Sequence, residues 1–134
     1  MEILYVKDLT FSYPGSGSPT VESISLSLQK GEFAVLCGPT GSGKSTFLRM
    51  LKPEIAQSGK INGTIIVSGK DLKEADTLFS ASKIGFVMQR PEHQIVTDKV
   101  WHELAFGLEN LGIPSDEISR RIAETASYFG INSW

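Results

Sequence analysis

Cysteine is nearly absent. The 134 residues hold one, Cys37, so no disulfide can close within the chain, and a reducing cytosol suits it. Histidine occurs twice, as His93 and His102, which is poor support for a metal centre. Both are expected on a surface or at an interface. No apolar run approaches the roughly 18 residues of a membrane-spanning helix. The opening MEILYVKDLTF lacks the basic head and long apolar middle of a signal peptide. An excess of positive charge is also missing: the net charge is −2, which argues against nucleic acid as an electrostatically held partner. There are no internal repeats and no low-complexity segments. What remains, 40% apolar and 21% charged residues, is the composition of a soluble globular domain of ordinary size.

Hydrophobic patterning divides the chain into a strand-rich early part and a helical late part. Residues 1–11 alternate, with Ile3, Tyr5 and Leu9 expected on related faces of a strand. A loop rich in glycine, serine and proline follows at PGSGSP, residues 14–19. In residues 21–28, Ile24, Leu26 and Leu28 face one side and serines the other, which predicts a half-buried strand. FAVLC, residues 33–37, is a continuous apolar run, the pattern of a strand covered on both faces. GFVM, residues 85–88, also reads as a buried strand. Asn62-Gly63 predicts a turn into the strand TIIVSG. Later, Thr97 is placed to cap a helix carrying Val100, Leu104, Leu108 and Leu111, ended by Gly112. A second helix is expected from about Ser115, with Ile118, Ile122 and Phe129 as its apolar stripe and Gly130 as its terminator.

The most informative stretch is GPTGSGKS, residues 38–45, a full match to G-x-x-x-x-G-K-S. It follows an apolar run and precedes a helical pattern headed by Phe47, Leu48 and Leu51, with Pro53 as the stop. Gly38, Gly41 and Gly43, with Pro39, Thr40 and Ser42 between them in the loop, let the backbone curl so that several N–H groups point inward at phosphate oxygens. The positive end of the following helix adds to that field. Lys44 is placed to reach β- and γ-phosphates, the Ser45 hydroxyl to ligate Mg²⁺, and Thr46 to donate to the α-phosphate. A glycine-rich turn would match this pattern by chance with odds on the order of one per cent in a chain of this length.

Two other residues bear on such a site. Tyr13 ends a strand 25 residues before Gly38, and its ring is suited to stacking on a nucleobase. Without the glycine-rich loop it would read as an ordinary half-exposed tyrosine. Gln89 follows the apolar residues 86–88, at the carboxyl end of an expected strand, where open α/β sheets bind ligands. Its amide oxygen is suited to ligating Mg²⁺ or orienting a water; the alternative is a solvent-facing glutamine in a turn.

LTFSYPG, GPTGSGKST, IIVSGKDL and GFVMQRPEHQIV occur in the order and spacing of ABC-type ATPase subunits, which the whole chain resembles. The resemblance implies an α/β P-loop NTPase fold with an N-terminal antiparallel β subdomain. It places that subdomain, with the phosphate loop and its helix, at residues 1–70, the Q-loop region at 71–96 and the start of a helical subdomain at 97–134. It implies ATP and Mg²⁺ as cofactors, with Tyr13 on adenine, residues 38–45 as the Walker A loop, and Gln89 as the residue linking metal and γ-phosphate to movement of a transporter. Within the family, residues 89–114 look most like the ATPases of energy-coupling-factor importers, which take up vitamins or cobalt and nickel ions. The implied partners are a transmembrane coupling subunit and a second ATPase subunit, at the cytoplasmic face of the membrane. An LSGGQ-like signature, an apolar strand ending in Asp-Glu and a later switch histidine are absent from the sequence. The expectation is therefore the N-terminal part of such a subunit, truncated before the signature motif and Walker B strand, that binds Mg-ATP at best, turns it over negligibly, and either self-associates, is partly disordered or binds nucleotide weakly. A non-transport ABC ATPase is disfavoured by net acidity and the short insertion after Gln89. A non-catalytic docking module is disfavoured by intact Lys44 and Ser45.

Overall fold

The computed structural model describes residues 1–131. The chain divides into two compact units, Met1–Gly85 and a second beginning at Phe86.

The first unit is built on an antiparallel sheet in the order β2-β1-β3-β4, comprising β1 (Glu2–Ser12), β2 (Val21–Gln29), β3 (Lys60–Val67) and β4 (Lys70–Asp71). β1 is central and pairs on both edges. Its inward face changes phase at a bulge: Leu4 and Val6 point to the core before it, Leu9 and Phe11 after it. Asp8, at φ 49°, makes the shift, since a single left-handed residue inserts the extra position. The expectation that Ile3, Tyr5 and Leu9 share a face is thereby corrected. β2 makes the matching change at Ser23, φ 47°, between Val21 and Ile24. Side chains satisfy the bulged backbone: the Asp8 N–H donates to Ser25 Oγ at 2.8 Å, and the Ser23 N–H donates to Thr10 Oγ1 at 3.0 Å.

Asn62-Gly63 is not a turn. β3 runs straight through it, and Gly63 sits against the β1 bulge. The actual reversal is Ser68-Gly69, with φ values of 48° and 81°, a two-residue hairpin of the kind that suits sheet twist.

On this sheet pack α1 (Lys44–Met50), through Phe47 and Met50, and the segment carrying Leu72, Phe79 and Ile84. Val6, Leu9 and Phe11 are the most enclosed core residues. Burying each contributes about 1.5–3 kcal/mol. A helix the patterning does not predict, α2 (Thr77–Lys83), is capped by Asp76, whose carboxylate accepts from the Phe79 N–H at 2.7 Å.

Two predicted strands do not form. Residues 33–37 are irregular and open, with Phe33 90% and Val35 70% exposed, and residues 85–88 are irregular, with Val87 and Met88 exposed. An apolar run becomes a strand only when a neighbour completes its hydrogen-bond ladder, and among the described residues the sheet contains no partner for either.

The second unit is a helical pair, α3 (Val100–Asn110) and α4 (Ser115–Phe129), closed around Ala105, Ile118 and Ile122, with Leu104, Leu108 and Ile113 alongside. Gly112 and Gly130 end the helices as expected. Phe129 is not part of the buried stripe; it is 67% exposed. Thr97 does not cap α3 either. Lys99 stands at that position, while Thr97 and Val96 give their N–H groups to Glu103 Oε2 at 2.9 and 3.0 Å.

Candidate functional site

The loop of residues 38–43 leads directly into α1. Gly41 and Gly43 both hold φ 84°, and Gly38 φ 155°. Gly43 is further constrained by contact: a Cβ there would lie 2.5 Å from the Thr20 carbonyl oxygen, at the start of β2. The curl of the loop therefore depends on a missing side chain, which brings the first turn of α1 against the sheet.

Lys44 turns back into this curl. Its ammonium donates to the Gly38 carbonyl at 2.8 Å, the Pro39 carbonyl at 2.7 Å and Ser42 Oγ at 3.3 Å. All three ammonium protons are thus directed inside the loop. Ser42, Gly43 and Lys44 line a cavity of about 320 Å³, with Phe47 and Thr20 also on its wall. Thr40, Gly41 and Ser45 are exposed. A cation and hydroxyls gathered beside a loop that only glycine can form is a donor set that fits a polyphosphate and, through Ser45, a hydrated Mg²⁺.

Tyr13 and Thr46 meet. The Tyr13 hydroxyl lies 3.0 Å from Thr46 Oγ1 and also donates to Gln57 Oε1. Its ring stands edge-on to Phe11, with centroids 4.8 Å apart and planes at 86°. The structure therefore brings Tyr13, Thr46, Lys44 and the glycine loop together in the first unit.

Gln89 belongs to the second unit and is exposed in a bend. The residues just before it are clamped by another amide: Gln94 Oε1 accepts from the Met88 N–H at 2.7 Å, and its Nε2 donates to the Phe86 carbonyl at 3.0 Å. Glu103, tied to Thr97 and Val96, has its carboxyl held below the usual carboxylate range, chiefly by the Thr97 N–H and then by that of Val96. Gln57, Gln94 and Thr20 were not singled out from the sequence. Each acts through a partner distant in the chain or through a backbone atom, so none carries a local sequence signal.

Among the described residues no cluster of His, Cys, Asp and Glu is arranged for a metal, and no helix is long and apolar enough to cross a membrane.

A glycine-curled loop running into a helix, with its lysine folded into the curl beside an antiparallel sheet, is the arrangement of a P-loop phosphate-binding site. The ABC transporter profile matches residues 21–133, and the chain belongs to that family. A Bacillus anthracis protein, named as a candidate ABC transporter ATP-binding protein, is 46% identical over 125 residues; the match covers 93% of this chain and 23% of that one. A Pyrococcus horikoshii protein named in the same way is 41% identical over 124 residues, covering 91% of this chain and 44% of its own. Among solved structures, CbiO1 of Clostridium perfringens, part of the ABC transporter complex CbiONQ, superposes with a TM-score of 0.81 at 26% identity. That match covers 98% of this chain and 51% of CbiO1. The chain thus spans between about a quarter and a half of the length of these relatives.

Proposed function

We propose that this chain is the ATP-binding part of an ABC transporter motor subunit. Residues 38–46 hold the triphosphate of Mg-ATP. Lys44 exchanges its loop carbonyls for β- and γ-phosphate oxygens, Ser45 contributes its hydroxyl to Mg²⁺, and Thr46 donates to the α-phosphate. Tyr13 faces the adenine. Gln89 supplies a neutral metal ligand that releases more readily than a carboxylate, so it links nucleotide state to the helical unit that follows. Lys44 and Gln89 are the residues assigned to catalysis.

The observation that carries this reading is the Lys44 ammonium, folded onto the Gly38 and Pro39 carbonyls and the Ser42 hydroxyl. A lysine directing all its protons into an exposed loop is poised to hand them to an anion. The 134 residues contain no LSGGQ and no apolar strand ending in Asp-Glu. ATP bound by these residues alone is therefore held rather than split.

The transported solute is proposed to be a vitamin or a cobalt or nickel ion, entering through a transmembrane coupling subunit, with a second ATPase subunit completing the motor at the cytoplasmic face of the membrane. The likeness of residues 89–114 to energy-coupling-factor ATPases supports this, as does the fold shared with CbiO1, itself part of a transporter complex. Reconstituting the full-length protein with candidate membrane subunits in vesicles tests it. ATP-dependent solute uptake that Lys44→Ala abolishes is the expected result; uptake unaffected by that change would overturn the assignment.

A further inference from the structure

Tyr13, Thr46 and Gln57 form a hydrogen-bonded chain whose direction follows from the Gln57 amide turning its Oε1 toward Tyr13. The Tyr13 hydroxyl has one proton, and Gln57 Oε1 has none, so Tyr13 donates to Gln57. The remaining contact, 3.0 Å between Tyr13 Oη and Thr46 Oγ1, must then carry the proton of Thr46. The order is Thr46 to Tyr13 to Gln57. These three residues come from the start of α1, the end of β1 and the turn before β3, separated by 33 and 44 positions from Tyr13.

The consequence concerns what happens when an anion arrives. A phosphate oxygen at Thr46 competes for the proton that Thr46 now gives to Tyr13. Once the phosphate has taken it, the Tyr13 hydroxyl keeps Gln57 as its fixing partner, and the ring keeps the Phe11 edge. We infer that Gln57 is a positioning residue for the nucleobase end of the site: its amide oxygen holds the Tyr13 ring in place when the α-phosphate claims Thr46. This rests on the nucleotide-binding reading above and adds to it a residue 44 positions from the ring it holds. Gln57 touches neither phosphate nor metal in this account. Its effect is confined to ligands that carry a base.

The experiment compares two ligands on the full chain, Mg-ATP and inorganic tripolyphosphate, by calorimetric titration. Gln57→Leu keeps the side-chain size and removes the acceptor. It is expected to weaken ATP binding about tenfold, within what aromatic–base stacking supplies, and to leave tripolyphosphate affinity unchanged. Gln57→Glu retains an acceptor and restores the wild-type ratio of the two affinities. Tyr13→Phe, which deletes the hydroxyl, reproduces the selective loss and serves if Gln57→Leu does not fold. Equal weakening of both ligands by Gln57→Leu would overturn the inference, because it would show a general effect on the loop. An unchanged ratio in that variant, with the wild type binding both ligands, would overturn it alone. A wild type that binds neither ligand would overturn it together with the nucleotide reading.

Discussion

Gly63 of β3 lies across from Asp8 of β1 so closely that a Cβ on Gly63 would stand 2.6 Å from the Asp8 carbonyl oxygen. Its φ of 99° adds backbone strain for any other residue. The β1 bulge and this glycine are one feature: the bulge turns Leu9 and Phe11 inward, and Gly63 makes room for it. Gly63→Ala is therefore expected to destabilise the first unit by about 1–3 kcal/mol, read as a lower urea midpoint with an unchanged slope. A midpoint equal to wild type would contradict the packing described for the sheet.

Gly43 makes the same argument at the phosphate loop. A methyl group there meets the Thr20 carbonyl at 2.5 Å, whereas one at Gly41, with the same φ of 84°, meets nothing within 4 Å. Both substitutions strain the backbone, and only Gly43→Ala also pushes α1 off the sheet. Gly43→Ala is expected to weaken Mg-ATP binding at least about tenfold more than Gly41→Ala, since a further 1.4 kcal/mol of misfit corresponds to that factor. Titration of both variants checks the order; the reverse order would show that loop curvature, not docking on Thr20, governs the site.

The phosphate loop was legible because its chemistry is contiguous: glycine spacing, lysine and hydroxyls lie within nine residues, and no distant partner is needed to recognise them. The helical pair was legible for a related reason, since its apolar spacing and its terminal Gly112 and Gly130 are local signals. The β1 bulge was not. Alternation assigned Leu9 to the face of Ile3 and Tyr5, and only the left-handed conformation at Asp8 reverses that phase. Asn62-Gly63 carried a turn signal because glycine's freedom is the same whether it serves a hairpin or, as here, a close approach to Asp8 and Lys7. Residues 33–37 have the composition of a covered strand, yet a strand also requires a ladder partner, which composition does not reveal. Gln57 had no signal at all, being a lone amide whose partner is 44 positions away.

The open run Phe33, Val35 and Leu36 carries its own consequence. With Phe33 90% and Val35 70% exposed, it forms an apolar surface of the kind that drives association. Residues 1–134 are expected to self-associate, and Phe33→Ser with Val35→Ser should shift sedimentation toward the monomer without lowering the melting temperature. By contrast Phe11→Ala, at a fully buried site, should cost about 3–5 kcal/mol. A monomeric wild type at high concentration would contradict the first expectation.

Glu103 gives a pH dependence with a definite sign. Hydrogen bonds from the Thr97 and Val96 N–H groups favour its carboxylate, so its pKa is lower in the folded chain than the roughly 4.3 of an unfolded glutamate. The stabilisation is fully present above that unfolded value and is lost as pH falls through the lower folded one. Glu103→Gln removes this contribution at neutral pH. The stability difference between wild type and variant, followed by helix circular dichroism, should therefore shrink as the solution is acidified below about pH 4. A difference that stays constant with pH would show that Glu103 does not hold the segment before α3 as an anion.

The central claim is that the loop from Gly38 to Thr46 closes on a triphosphate through Lys44, whose ammonium now rests on Gly38, Pro39 and Ser42. Calorimetric titration of the full-length protein with Mg-ATP, beside its Lys44→Ala variant, tests it most directly. The account predicts saturable one-site binding in the wild type and a loss of at least about a hundredfold in the variant, as expected for a hydrogen-bonded charge on phosphate. Equal affinity in the two proteins would contradict it.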